Sequence, residues 1–148
     1  MPGCIYLIGS LLNPRIPALA AALRSRGWDV FDDWHAAGPE ADDHWQKYEG
    51  ARGHDYITAL DGYAANHVWS YDKEHLDRAS RGVLVLPAGK SGHLELGYMI
   101  GQGKPGYILL DKEPERWDVM YRFADTVCAT DEELFKALAD AVAEARKG

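Results

Sequence analysis

Apolar residues concentrate in five short runs, at residues 5–8, 28–31, 83–86, 107–110 and, more weakly, 126–128. Runs of this length, rich in branched and aromatic side chains and bounded by turn formers, read as buried strands. Between most of them the apolar positions recur every three to four residues, which is the helical period. Pro14 and Pro17 open the first helix, Leu19, Leu23 and several alanines form its inner face, and Gly27 ends it. A long helical region runs from Asp42 to Arg81, with breaks predicted near Gly50 to Gly53 and near Asn66 to Ser70. A further helix carries Glu95 and closes at Gly103 and Pro105, and the last, Asp131 to Arg146, has Thr130 as its predicted N-cap.

This alternation predicts the α/β class: a flavodoxin-like or Rossmann-like, doubly wound parallel sheet of five strands in the order 2-1-3-4-5, flanked by helices. In that order ligands bind in the crevice between the carboxyl ends of the first and third strands. Gly9 and Ser10 follow the first strand, and Pro87 to Gly92 follow the third. The two strand exits most marked by glycine and serine are therefore expected to face each other. With 148 residues, 47% of them hydrophobic, the chain suits one domain over 1–148, and no repeat or linker divides it.

A formal net charge of −7 without any run of Lys or Arg argues against a nucleic-acid polymer as partner and favours a small molecule. No apolar stretch is long enough to span a bilayer, and Met1 leads into a strand without a basic leader region, so a cytoplasmic protein is expected. Cys4 and Cys128 lie in apolar runs and read as small core residues. The six histidines are scattered, so neither a disulfide, a metal nor another cofactor is expected.

Candidate chemistry centres on Leu84-Val-Leu-Pro-Ala-Gly-Lys-Ser-Gly-His-Leu-Glu-Leu-Gly-Tyr98, which runs from a strand through a glycine loop into a helix. Gly89, Ser91 and Gly92 let a ligand approach the backbone closely, and a helix N-terminus points free N–H groups at it. Glu95 is expected in the first helical turn, where the helix dipole favours its charged form and Leu94 and Leu96 wall it. It is the candidate nucleophile. Asp72, Leu76 and Ser80 fall at i, i+4 and i+8, so a carboxylate shares a row with the apolar face of the helix before the third strand. A cap or first-turn charge is the plainer reading of Asp72. Tyr6 either orients the nucleophile through its hydroxyl or fills the core. Asp33 and Trp34 stand where they can hold a base or a sugar hydroxyl, the bland alternative being an Asp-rich turn. His93 is a candidate for substrate contact or for capping the loop. Trp45, Tyr48, Tyr56, Tyr63, Trp69 and Tyr71 suit stacking on a heterocycle, helix packing or a subunit interface.

Three elements, Ile5-Tyr-Leu-Ile-Gly-Ser10, Asp72-x-x-x-Leu76-x-x-Ala79, and Glu95-Leu-Gly-Tyr98 followed by Gly103-Lys-Pro105, together resemble the nucleoside 2-deoxyribosyltransferase family, which includes nucleoside 5′-monophosphate N-glycosidases. The resemblance spans most of the chain. It implies that Glu95 attacks the anomeric carbon and that Asp72 assists protonation of the leaving base. It also implies a nucleoside or nucleotide as the small-molecule partner, and a homo-oligomer. Transfer of the sugar to a second base is the leading expectation. Hydrolysis of a 5′-monophosphate with release of free base is one alternative, and a non-catalytic nucleotide-binding module is another. Two departures stand out. Several family members carry Asp or a phosphate-binding Ser six residues before the nucleophile, where this chain has Gly89 with its serine at Ser91, and the family often has Asp at the position of Ser80. A nucleotide substrate is implied if Ser91 or Ser10 reaches a 5′-phosphate.

Overall fold

The computed structural model describes residues 3–147. Met1, Pro2 and Gly148 lie outside the described residues, and with them the opening of the chain at Met1. Five strands form one sheet: β1 Cys4–Ile8, β2 Asp29–Phe31, β3 Arg81–Val85, β4 Gly106–Leu109 and β5 Thr126–Cys128. All neighbours are parallel and the order is β2-β1-β3-β4-β5, the switch-point order expected from the sequence. Each strand lies within two residues of its apolar run.

Both faces of the sheet are covered, which is why its central strands read as unbroken apolar runs rather than alternating ones. One face sets Ile5, Leu7, Val83, Val85 and Leu109 against helices α1 (Ile16–Arg24) and α6 (Asp131–Lys147), through Leu19, Leu23, Leu134 and Leu138. The other sets Tyr6, Ile8, Leu84 and Ile108 against Leu76, Ala79, Leu96 and Met99. Leu96 and Met99 belong to α5 (Lys90–Gly101). That helix lies unusually close to the sheet, because a Cβ on Gly82 would stand 2.7 Å from Met99 Sδ and one on Gly106 would stand 2.8 Å from Ile100. Gly27 and Gly103 end α1 and α5 with φ of 92° and 83°, a conformation that side-chain-bearing residues rarely adopt. Thr130 caps α6 as expected, its Oγ1 accepting from Glu133 N–H at 3.2 Å.

The long helical region divides into α2 (Ala41–Ala51), α3 (Tyr56–Leu60) and α4 (Tyr63–Arg78). The break near Gly50 to Gly53 is present, but none occurs between 66 and 70. Without Gly or Pro inside it, and with Asn and Ser only mildly unfavourable in a helix, α4 continues through. Asp72 is consequently deep in α4, well past the first turn where a cap would sit, and Ser80 lies beyond the helix end. Among the described residues no helix is long and apolar enough to cross a membrane.

Candidate active site

The parallel register carries β1 and β3 side by side, Ile8 opposite Leu84, so their carboxyl ends open onto one crevice. A Cβ on Gly9 would lie 3.5 Å from the Val85 carbonyl oxygen, so the exit of β1 adjoins the last residue of β3. Into this crevice α5 brings Glu95 from one side and β1 brings Tyr6 from below. The Tyr6 hydroxyl donates to Glu95 Oε2 at 3.1 Å across 89 residues of sequence. The Tyr6 ring is 1% exposed and packs on Phe31 at 5.1 Å, so one side chain fills the core and also orients a carboxylate. Tyr6 is thus a core residue whose hydroxyl reaches the Glu95 carboxylate.

Asp72, half-buried on α4, completes the cluster. Its charge acts on Tyr6 and on Glu95, raising both. Burial is the largest influence on each of the three. It holds the Tyr6 phenol far above its ordinary value and raises Asp72, with His75 pulling the other way. It pushes Glu95 from 4.5 up to about 7, against the Tyr6 hydrogen bond, which favours the carboxylate. This corrects the expectation of a Glu95 kept ionised by the helix dipole. Glu95 is the sixth residue of α5 and lies in its second turn, where the dipole has weakened and lost solvation dominates. Leu96 is buried beside it, but Leu94 is 74% exposed and walls nothing.

The other predicted residues take distinct places. Trp34 closes the top of β1: its indole N–H donates to the Leu7 carbonyl at 2.8 Å, and its ring edge lies 3.6 Å from where a Cβ on Gly9 would stand. Asp33 is exposed at the start of a 3₁₀ turn, Asp33–Ala37, and no hydrogen bond joins it to the carboxylate cluster. The Ser10 hydroxyl accepts from Leu12 N–H at 3.0 Å, so it is engaged in its own turn. Gly89 is the N-cap of α5 without a side-chain cap, and Ser91 and Gly92 lie in the first turn with Gly92 packed on Leu84 and Ile8. His93 points both ring nitrogens at protein atoms, Nδ1 at Gly89 O (2.7 Å) and Nε2 at Tyr121 Oη (2.9 Å).

Three residues at the crevice escaped the sequence reading. Asn13, 3% exposed, directs Nδ2 at the Leu86 carbonyl at 3.5 Å, as does Arg15 Nη1, and Arg15 also pairs with Asp131 at 3.0 Å. These contacts tie the 10–15 loop to the exit of β3. A buried Asn before Pro14 was the available signal. Tyr121 comes from a 3₁₀ turn, Val119–Phe123, between β4 and β5. Of the aromatic residues of α2 to α4, Trp45 packs edge-on against Tyr56 and Tyr71 packs on Phe31 and His75, whereas Tyr63 and Trp69 are 96% and 62% exposed. Cys128 is buried and Cys4 partly so, both as free thiols. Among the described residues no group of three or more His, Cys, Asp or Glu is arranged to hold a metal ion.

Comparison with known proteins ties the fold to a solved enzyme. The structure of a CMP N-glycosidase, BcmB, from Clostridium botulinum is similar over 92% of this chain and 98% of that one, with a TM-score of 0.56 and 15% sequence identity. No protein-family model matches the chain. No curated protein matches it either. At this identity the likeness is one of fold alone.

Proposed function

We propose that this chain, as a single nucleoside 2-deoxyribosyltransferase-like domain, cleaves the N-glycosidic bond of a nucleoside or nucleotide through a covalent glycosyl-Glu95 intermediate. The observation that carries the reading is the buried contact between Tyr6 and Glu95 at the switch point of the sheet, with the Asp72 charge acting on both. A Glu95 carboxylate oxygen attacks the anomeric carbon while the C–N bond breaks, and the departing base takes the bonding electrons and a proton from Asp72. A second base, or water deprotonated by Asp72, then attacks the same carbon and releases Glu95. Two displacements return the original configuration.

The reactive arrangement holds one proton on the pair, placed on Asp72. In the free protein the more deeply buried Glu95 competes for it, being pushed up to about 7. Tyr6 favours the productive placement, since its hydroxyl donates to Glu95 and stabilises the ionised form. A non-catalytic binding module has no use for two partly desolvated carboxylates close enough for the charge of one to raise the other, an arrangement that lowers stability. Sugar transfer to a second base remains the leading outcome. Hydrolysis of a 5′-monophosphate is the second reading, supported by the fold of the CMP N-glycosidase and by the uncapped N-terminus of α5, whose backbone N–H groups suit a phosphate. In either case Gly9, Trp34, Gly89, Ser91 and Gly92 are the proposed lining of the substrate crevice.

The test is chromatography of free base after incubation with a panel of nucleosides and 5′-monophosphates, with and without an acceptor base. Wild type releases or exchanges base and Glu95→Ala does not. A 2-fluoro substrate leaves a glycosyl adduct on Glu95 by intact mass. Full activity in Glu95→Ala together with no adduct on the wild type refutes the mechanism.

A further inference from the structure

Pro87 to Gly89 lead into α5, whose first turn, Lys90 to Gly92, carries an exposed Ser91 and a Gly92 packed on Leu84 and Ile8. Gly89 caps the helix without a side chain, and its carbonyl accepts the His93 backbone N–H at a long 3.4 Å. The His93 side chain adds a second hydrogen bond to that carbonyl. Its ring Nδ1 lies 2.7 Å from the Gly89 carbonyl oxygen, and a carbonyl only accepts, so Nδ1 carries the proton and donates. In the neutral ring Nε2 is then the acceptor, and the Tyr121 hydroxyl donates to it at 2.9 Å. The two rings also stack, 5.8 Å apart and 22° from parallel. Tyr121 in turn packs with Ala88 and Ala124 against the core on that face of the sheet. Its neighbours on the same segment, Trp117, Val119, Met120 and Phe123, are all exposed. Tyr121 is therefore the point at which the segment between β4 and β5 is fastened to the start of α5.

We propose that Tyr121 and His93 form a hydrogen-bonded latch that positions Gly89 and the first turn of α5 for substrate, making Tyr121 a positioning residue for the reaction although it lies far from both carboxylates in sequence. Because both His93 nitrogens are occupied by protein atoms, His93 acts through Gly89 rather than by touching substrate. The inference rests on the proposed glycosidic reaction for its kinetic arm only. Its structural arm stands without any activity.

Hydrogen exchange on the intact protein gives the structural arm. Tyr121→Phe keeps the stacked ring and removes only the hydroxyl, and it is expected to raise exchange in residues 86–94, across the latch. His93→Ala is expected to raise exchange in 86–94 and in 111–123 together. Unchanged exchange in 86–94 in Tyr121→Phe overturns the latch, whatever the protein catalyses.

The kinetic arm uses the 5′-monophosphate or nucleoside that wild type turns over fastest in the panel. Loss of one such hydrogen bond in Tyr121→Phe raises KM about 3- to 10-fold and leaves kcat nearly unchanged. His93→Asn, whose amide can replace the Nδ1–H donor, recovers KM relative to His93→Ala. The double variant Tyr121→Phe with His93→Ala resembles His93→Ala alone to within about 2-fold, the signature of a shared pathway. A fall in kcat at constant KM, or additive effects in the double variant, refutes the positioning role. If wild type releases no base at all, the glycosidic reading fails while the exchange result still decides the latch.

Discussion

Replacing Glu95 by glutamine separates the burial of this carboxyl from any question of substrate. In the native protein Glu95 titrates at about 7 against an ordinary 4.5, mainly because it has lost solvent. A group whose folded-state value is raised stabilises the fold fully below its unfolded value, and that stability is lost as pH rises through the folded value. Between pH 4.5 and 7 the unfolded chain releases a proton that the native protein keeps, so stability falls with pH across this window and is level above it. At 1.36 kcal/mol per tenfold change in affinity, the full difference is about 3 kcal/mol at most. Glutamine has nearly the same shape, carries no charge, and offers its amide oxygen to the Tyr6 hydroxyl. Glu95→Gln is therefore expected to be more stable than wild type at pH 8.5 by up to about 3 kcal/mol, or about 6–12 °C in Tm for a chain of this size. At pH 5 the difference shrinks to under about 1 kcal/mol by the same linkage. Calorimetry or dye-monitored melting of both proteins at several pH values and constant ionic strength measures it. A Tm difference that does not change with pH, or a variant less stable than wild type at pH 8.5, would falsify the assignment of Glu95 as a desolvated carboxylate. Under the expected outcome catalysis and stability are opposed at this residue, since the same substitution removes the proposed nucleophile.

Three further outcomes follow from the same geometry. Tyr6→Phe keeps the ring packed on Phe31 and deletes only the donor to Glu95, so kcat/KM for base release drops about 10- to 100-fold, the worth of one hydrogen bond to a charged group; undiminished activity contradicts the orienting role. Wild-type kcat/KM is expected to be bell-shaped in pH, since the active form holds a single proton on the pair, with an alkaline limb near 7 from the raised pair. In Asp72→Asn, activity falls about 10²- to 10⁴-fold and the alkaline limb disappears, leaving only the ionisation of Glu95, which burial still holds above its ordinary value; a profile identical in shape to wild type argues against shared protonation. Gly82→Ala puts a methyl 2.7 Å from Met99 Sδ and 3.2 Å from Ile8 Cδ1, both buried, and is expected to destabilise the protein by about 1–3 kcal/mol in denaturant titration. A neutral result there means that Met99 repacks freely.

Sequence alone was sufficient for the strands, the sheet order and most helix ends. Apolar runs at 5–8, 83–86 and 107–110 belong to strands buried on both faces, and proline and glycine at 17, 27 and 103 act on the backbone through their own covalent geometry. Such signals are local, so they survive without knowledge of neighbours. The switch-point order placed the carboxyl ends of β1 and β3 side by side, with Gly9 next to the Val85 carbonyl, because strand order constrains where carboxyl ends meet. Where local signals were weak, as with Asn and Ser between 66 and 70, the helix ran on, and Asp72 lies in the interior of α4, which removes the cap alternative for it. The protonation of the site was decided by tertiary structure alone. Helix position suggested an ionised Glu95, yet the removal of water by the packed sheet, the Asp72 charge and the Tyr6 hydroxyl set the balance. The latch of His93 on Tyr121 and the bracing of Leu86 by Asn13 and Arg15 also join residues between 28 and 73 positions apart, and no periodicity in the chain encodes such pairings. Periodic patterns record which face of an element avoids water, whereas desolvation and hydrogen bonding at a site depend on groups that only folding brings within reach.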